Sequence, residues 1–209
     1  MNYKVVMLDF DGTTACTVPA IYHAAKRMLG LHGYEVEKEV VYKNFALALP
    51  FAFRCFSGDD TIDDATIEQM IVEYNNIYKE ESEKLVELFD GVIETLDRLK
   101  KEGVKVVITS NNVKPVLRRL TTNLNIAQYI DDIVSVEDVE NVKPAPDIAI
   151  EALRRYNIKP EEALVVGDAT LDMDMGCGAG CHLCGVSFGS HSPEMLRERG
   201  ARYIIGNFS

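Results

Sequence analysis

Short, uninterrupted apolar runs punctuate this chain, and stretches with helical spacing separate them. Residues 3–8 (YKVVML) form the first run, rich in β-branched residues and bounded by Asp and Gly. A run of that length without polar alternation reads as a strand buried on both faces. Comparable runs recur at 104–108, 132–136, 163–166, 183–187 and 203–205. Between them, 91–102, 113–124, 146–156 and 192–199 have the character of helices. In 91–102, Val92, Ile93, Leu96 and Leu99 return at helical intervals, and Gly103 supplies a stop. Strands alternating with helices of this length predict an α/β fold: a parallel sheet with helices on both faces.

One region breaks the alternation. Residues 15–84 carry helical patterning and no convincing strand, most clearly over 62–89, around Ile67, Met70, Ile71, Tyr74, Ile77, Tyr78 and Leu85. A crossover to a parallel neighbour needs only about a dozen residues. This stretch is therefore expected to be an insertion with its own small core, an all-helical cap over the carboxyl edge of the sheet. The expected division is a core of 1–14 and 85–209 and a cap of 15–84, with hinges near 14–17 and 83–88.

Charge narrows the partners. The 209 residues carry a formal net charge of −11, which disfavours nucleic acid and anionic membrane surfaces, since both recruit basic patches. An anionic substrate would need local attraction from a metal ion and one or two cations. The apolar run Val5–Leu8 is too short for a leader or a membrane span. Five cysteines, an odd number, in a chain large enough to do without disulfides suggest a reduced, cytoplasmic setting.

Four junctions between strand and loop carry candidate chemistry. Asp9-Phe10-Asp11-Gly12-Thr13 ends the first run; residues i and i+2 of an extended chain point the same way, so both carboxylates can face one pocket. That pocket lies at the carboxyl ends of the strands, where open α/β sheets bind ligands. Thr109-Ser110-Asn111-Asn112 follows 104–108 and offers hydrogen-bond donors for phosphate oxygens. Lys143 opens the proline-stiffened loop Lys143-Pro144-Ala145-Pro146-Asp147. Gly167-Asp168-Ala169-Thr170-Leu171-Asp172 follows 163–166, and its acids suit a hard cation such as Mg2+. Taken singly, each has a plainer reading: an Asp-Gly turn, a helix cap, an exposed loop lysine, and an N-capping aspartate.

Together they place acid, acid, hydroxyl, lysine and acid at successive junctions in one order. In these motifs the chain resembles the haloacid dehalogenase-like hydrolase superfamily from about residue 3 to 206, in its helical-cap subgroup. Within that subgroup it is similar to the phosphoglycolate phosphatase and β-phosphoglucomutase relatives. The resemblance implies a Rossmann-like core and an Mg2+-dependent phosphatase acting on a small phosphorylated metabolite, such as phosphoglycolate or a sugar phosphate.

It further implies that Asp9 is the nucleophile that becomes an aspartyl phosphate, and that Asp11 protonates the leaving group and then activates water. Mg2+ would be held by Asp9, Asp168 and the Asp11 main-chain carbonyl. Thr109 and Lys143 would bind phosphate oxygens, with Ser110 and Asn111 as further phosphate contacts. Asp172 would support the metal shell, Gly12 would turn the chain away, and Thr13 would brace that turn. Thr14 departs from the family pattern, which has an apolar residue there. The same motifs also serve a phosphomutase, a pyrophosphate-cleaving enzyme or, with less reason given intact acids, a non-catalytic binding protein.

Substrate choice is expected in the insertion, around 43–54, where Arg54 could pair with a substrate carboxylate or simply be a surface arginine. Cys177, Cys181 and Cys184 have cluster-like spacing around His182, but their context reads as packing. His23, His32 and His191 lie outside all four junctions and receive no role.

Overall fold

The six apolar runs assemble into one sheet. The structure, a computed structural model, describes residues 3–209; Met1 and Asn2, assigned to the core from sequence, lie outside the described residues. The strands are β1 (Val5–Leu8), β4 (Lys105–Ser110), β5 (Asp132–Ser135), β6 (Ala163–Gly167), β7 (His182–Val186) and β8 (Tyr203–Ile205). Their order is β5-β4-β1-β6-β7-β8, and each neighbouring pair is parallel. β1 is central and buried along its whole length, which is why its sequence shows no alternation. Two further strands of two residues each, β2 (Ala15–Cys16) and β3 (Glu87–Leu88), form a separate sheet. They are too short to leave a sequence pattern.

Connections run through α5 (Val92–Lys101), α6 (Lys114–Asn123), α7 (Asp147–Tyr156), α8 (Thr170–Gly178) and α9 (Pro193–Glu198). Val5 and Met7 of β1, Val107 of β4, and Ala163 and Val165 of β6 belong to one core cluster. Ile148, Ala149 and Ala152 of α7 and Met173 and Met175 of α8 belong to it as well. Met7 lies opposite both Val107 and Val165, so this face of the sheet is an aligned apolar layer. By the two-residue period of strands, Asp9 and Thr109 continue the same rows one step past that layer.

The chain divides into two compact units, one running through Ala15 and resuming at Leu88–Ser209, the other Cys16–Glu87. The second is helical: α1 (Val18–Leu31), α2 (Lys38–Asn44), α3 (Leu49–Ser57) and α4 (Asp64–Leu85). Asp63 caps α4, its carboxylate accepting from the Thr66 amide at 2.9 Å. Its core includes Phe53 edge-on to Tyr74 at 5.3 Å between ring centroids, and Tyr74 stacked on Tyr78 at 5.5 Å. Arg27 pairs with Glu81 at 2.6 Å, and His32 bonds Glu73 at 2.7 Å. Among the described residues, no helix is long and apolar enough to cross a membrane.

Candidate active site

The carboxyl edge of the sheet gathers the polar residues that the strands cannot hide. The Asp9 amide donates to the Val166 carbonyl at 2.9 Å, which extends the β1–β6 ladder and fixes the nucleophile candidate at the edge. Beyond it Gly12 adopts φ 85°, a conformation that favours glycine. The turn is closed by the Gly12 amide on the Ala15 carbonyl and by the Thr14 and Ala15 amides on Phe10. The unusual Thr14 is fully buried, and its hydroxyl donates to the Asp9 carbonyl at 2.6 Å. The position thus keeps the burial of an apolar residue while its hydroxyl is absorbed locally.

Lys143 is buried at the centre of the assembly. Its ammonium donates to Asp9 Oδ1 at 2.7 Å, Asp172 Oδ1 at 2.6 Å and the Thr109 carbonyl at 2.8 Å. All three N–H donors are therefore engaged. Burial alone would lower the affinity of this ammonium for its proton, but the charges and hydrogen bonds of Asp172 and Asp9 reverse that and hold it above its ordinary range. Asn111 clamps the Lys143 main chain on both sides: its Oδ1 accepts from the Lys143 amide at 3.0 Å, and its Nδ2 donates to the Lys143 carbonyl at 3.3 Å. Those bonds give Asn111 a positioning duty that its sequence neighbourhood did not reveal.

Three carboxylates converge here: Asp9, Asp168 and Asp172 each place an oxygen within 4.8 Å of the others, and all three are buried. Burial pushes the Asp9 carboxyl well above the usual range; Lys143 opposes this, while Asp172, Asp168 and Asp11 add to it. Asp168 rises to about 6, first through burial and then through Asp172, against hydrogen bonds from Ser190 and Thr13. The Thr13 hydroxyl donates to Asp168 Oδ1 at 3.0 Å and the Ser190 amide to Asp168 Oδ2 at 2.7 Å. Asp172 uses both oxygens, one for Lys143 and one for the Ala169 amide at 3.1 Å.

Two glycines make this crowding possible. A Cβ on Gly167 would lie 2.3 Å from the Asp172 carboxyl carbon, and one on Gly189 would lie 2.1 Å from the Asp168 Cβ. Gly189 belongs to the loop after β7, which the sequence reading passed over. In it the Ser190 hydroxyl and the His191 amide both donate to the Asp168 carbonyl, at 3.3 and 3.1 Å. His191 Nδ1 accepts from the Thr170 amide at 3.1 Å. His191 thus belongs to the fourth junction, although nothing in its spacing announced it. The available signal was the Ser-Phe-Gly-Ser composition just past the carboxyl end of a strand, a position where ligands collect.

Two hydroxyls of the second junction differ. Ser110 Oγ accepts from the Asn112 amide at 3.0 Å and shapes the turn. Thr109 Oγ1 is buried and has no hydrogen-bond partner among the described residues. Asn112 Nδ2 lies 3.4 Å from Asp11 Oδ2. Arg54 lies in the helical unit. Its guanidinium donates to the carbonyls of Pro50 and Ile62 and to Asp64 Oδ1, at 3.3, 3.0 and 2.9 Å. Those bonds tie α3 to the segment that starts α4 and leave Arg54 half-buried.

The comparisons with known proteins agree with this geometry. The haloacid dehalogenase-like hydrolase family matches residues 6–186. A curated relative from Bacillus mycoides (strain KBAB4), named pyrophosphatase PpaX, is 30% identical over 211 residues, covering 100% of this chain and 95% of its own. A solved structure from Bacteroides fragilis, described as haloacid dehalogenase-like, superposes with a TM-score of 0.92 at 26% identity, covering 99% of this chain and 98% of its own. Another from Clostridium acetobutylicum, described as a predicted phosphatase, gives 0.86 at 25% identity, covering 98% and 94%. With Asp9, Thr109, Lys143 and Asp168 gathered at the carboxyl edge of a parallel sheet and the family match spanning residues 6–186, this chain belongs to the haloacid dehalogenase-like hydrolase family.

Proposed function

We propose that the chain is a Mg2+-dependent phosphohydrolase of small phosphorylated metabolites, working through a phosphoryl group carried on Asp9. One observation carries this reading: among the described residues one buried ammonium, Lys143, pairs with two of three converging buried carboxylates. If all are ionised, the cluster is two negative charges in excess. Buried charge of that sign calls for a cation or protons. Three oxygen donors so close together suit a hard divalent ion.

Asp9 and Asp168, with the Asp11 main-chain carbonyl, would hold the ion. Asp172 has both oxygens engaged and supports from behind. When bound, Mg2+ supplies the charge that lets an anionic nucleophile and an anionic phosphate approach. The residues of the chain do the rest. An Asp9 carboxylate oxygen bonds to phosphorus as the ester O–P bond breaks, while Asp11 delivers a proton to the departing oxygen. Asp11 then takes a proton from water as that water attacks phosphorus, which frees Asp9 and releases phosphate. The unpartnered Thr109 hydroxyl is a ready donor to a phosphate oxygen. Lys143 orients Asp9 and favours its ionised form.

All of these residues recognise phosphate alone, so the choice among phosphorylated metabolites falls to the helical unit on this reading. A second reading has inorganic pyrophosphate as substrate; the full-length similarity to the relative named pyrophosphatase PpaX favours it. The test is phosphate release from a panel of small phosphomonoesters and pyrophosphate, with Mg2+ or EDTA, beside Asp9→Asn. Release that needs both Mg2+ and Asp9 is expected, and the preferred substrate separates the two readings. Release that survives Asp9→Asn would sink both.

A further inference from the structure

The Asp168 loop is not free-standing. Phe188, next to Gly189, packs between two other rings: Phe89 at 4.5 Å and Phe208 at 6.0 Å between centroids. Phe208 is the penultimate residue of the chain, and its main chain is anchored. Its amide donates to the Asp90 carbonyl at 3.4 Å, and its carbonyl accepts from the Thr95 hydroxyl. Gly91, at φ 80°, leaves the space this tail needs: a Cβ there would lie 2.7 Å from the Ser209 nitrogen and 2.8 Å from the Phe208 carbonyl carbon. The Ser187 amide also donates to the Ile205 carbonyl at 2.9 Å, so the segment leading to the tail holds the loop's first residue.

The residue that carries the third ring is tied by its main chain to the segment that bears Asp9. The Phe89 amide donates to the Thr14 carbonyl at 3.3 Å, and the Thr14 hydroxyl bonds the Asp9 carbonyl. The three-ring cluster is therefore linked, through the main chains that carry Phe89 and Phe188, to the segments that hold Asp9 and Asp168. Ser190 and His191, which give Asp168 two main-chain N–H donors, lie two and three residues after Phe188.

We propose that Phe208 is a positioning residue: by packing on Phe188, the carboxyl-terminal tail holds the 187–191 loop against Asp168 and so sets the affinity of the site for Mg2+. This rests on the metal reading above. Partners that orient metal-binding groups from outside the coordination shell change affinity by about 10–100-fold when lost.

The test uses the full chain and Phe208→Ala, Phe208→Tyr and Gly91→Ala. Two quantities are read: hydrogen exchange of the 187–192 amides without metal, and Mg2+ affinity by calorimetry. Phe208→Ala and Gly91→Ala are expected to speed exchange in that segment and to weaken Mg2+ binding about tenfold, while exchange in β1 and β4 stays slow. Phe208→Tyr, which keeps the ring, is expected to restore both to within about twofold, an assignment of the effect to the ring contact. Unchanged exchange in Phe208→Ala, or loss that Phe208→Tyr shares, overturns the positioning role. Wild-type protein that takes up no Mg2+ overturns the metal reading instead, and exchange still reports separately on the tail.

Discussion

Thr13 and Asp168 stand 155 residues apart in the chain, yet the hydroxyl of one donates to the carboxylate of the other at 3.0 Å. Both are buried, so no solvent replaces the bond if it is lost. Thr13→Val leaves a buried carboxylate oxygen without its donor, which costs about 1–3 kcal/mol. Thr13→Ser keeps the donor and should retain most of the stability. Urea denaturation of the two variants in EDTA checks this.

Thr109 predicts the opposite balance. Its hydroxyl is buried without a partner among the described residues, so Thr109→Val removes an unsatisfied donor and should leave the urea midpoint unchanged or slightly raised. If the hydroxyl meets phosphate in the reaction, turnover falls by about 10²-fold in the same variant. A variant that loses stability and keeps turnover would refute the assignment.

Lys143→Met strands Asp9 and Asp172 as buried carboxylates without their cation. Breaking a buried pair from one side typically costs about 3–5 kcal/mol. Asp9, pushed upward by burial and relieved of the opposing Lys143 charge, can escape by taking up a proton. The loss relative to wild type should therefore be greater at pH 8 than at pH 5, read from thermal midpoints in EDTA, and turnover should vanish at either pH.

Asp168 gives a pH dependence with a definite sign. Its carboxyl sits at about 6 in the fold, against an ordinary value of 3.8. Below pH 3.8 it is protonated folded or unfolded. Between the two values the folded chain holds a proton that the unfolded chain has released, so rising pH favours unfolding. The metal-free protein should lose on the order of 3 kcal/mol across that window through this group, and no more above it. Asp168→Asn should lack that decline, and Mg2+ should oppose it in the wild type. Urea midpoints from pH 4 to 7, with EDTA and with Mg2+, test both statements.

Much of the fold was legible because central strands are buried on two faces. Val5–Leu8 and Val106–Ile108 stand out as apolar runs because they are buried throughout. α8 was not legible. Its buried residues are Asp172, Met173, Met175 and Gly176, an acid and a glycine among the methionines, so no apolar stripe forms. Gly176 is small because Leu183 and Val165 press on it: a Cβ there would lie 2.5 Å from a Leu183 methyl. The motif acids and Lys143 showed themselves through position at strand ends. Ser190 and His191 did not, because they act mainly through main-chain N–H groups, which every residue but proline owns.

The parallel sheet has one more consequence. Leu8 is level with both Ile108 and Val166, so Asp9, Thr109 and the Asp168 turn leave three adjacent strands side by side, at a pitch of about 4.8 Å set by the backbone ladder. A slip of one residue in any pairing would turn a whole row of side chains to the opposite face. Partly folded chains, however compact, would thus have no site. Regain of turnover during refolding is in effect a clock for strand registration, and it should start only when β1, β4 and β6 have found one another.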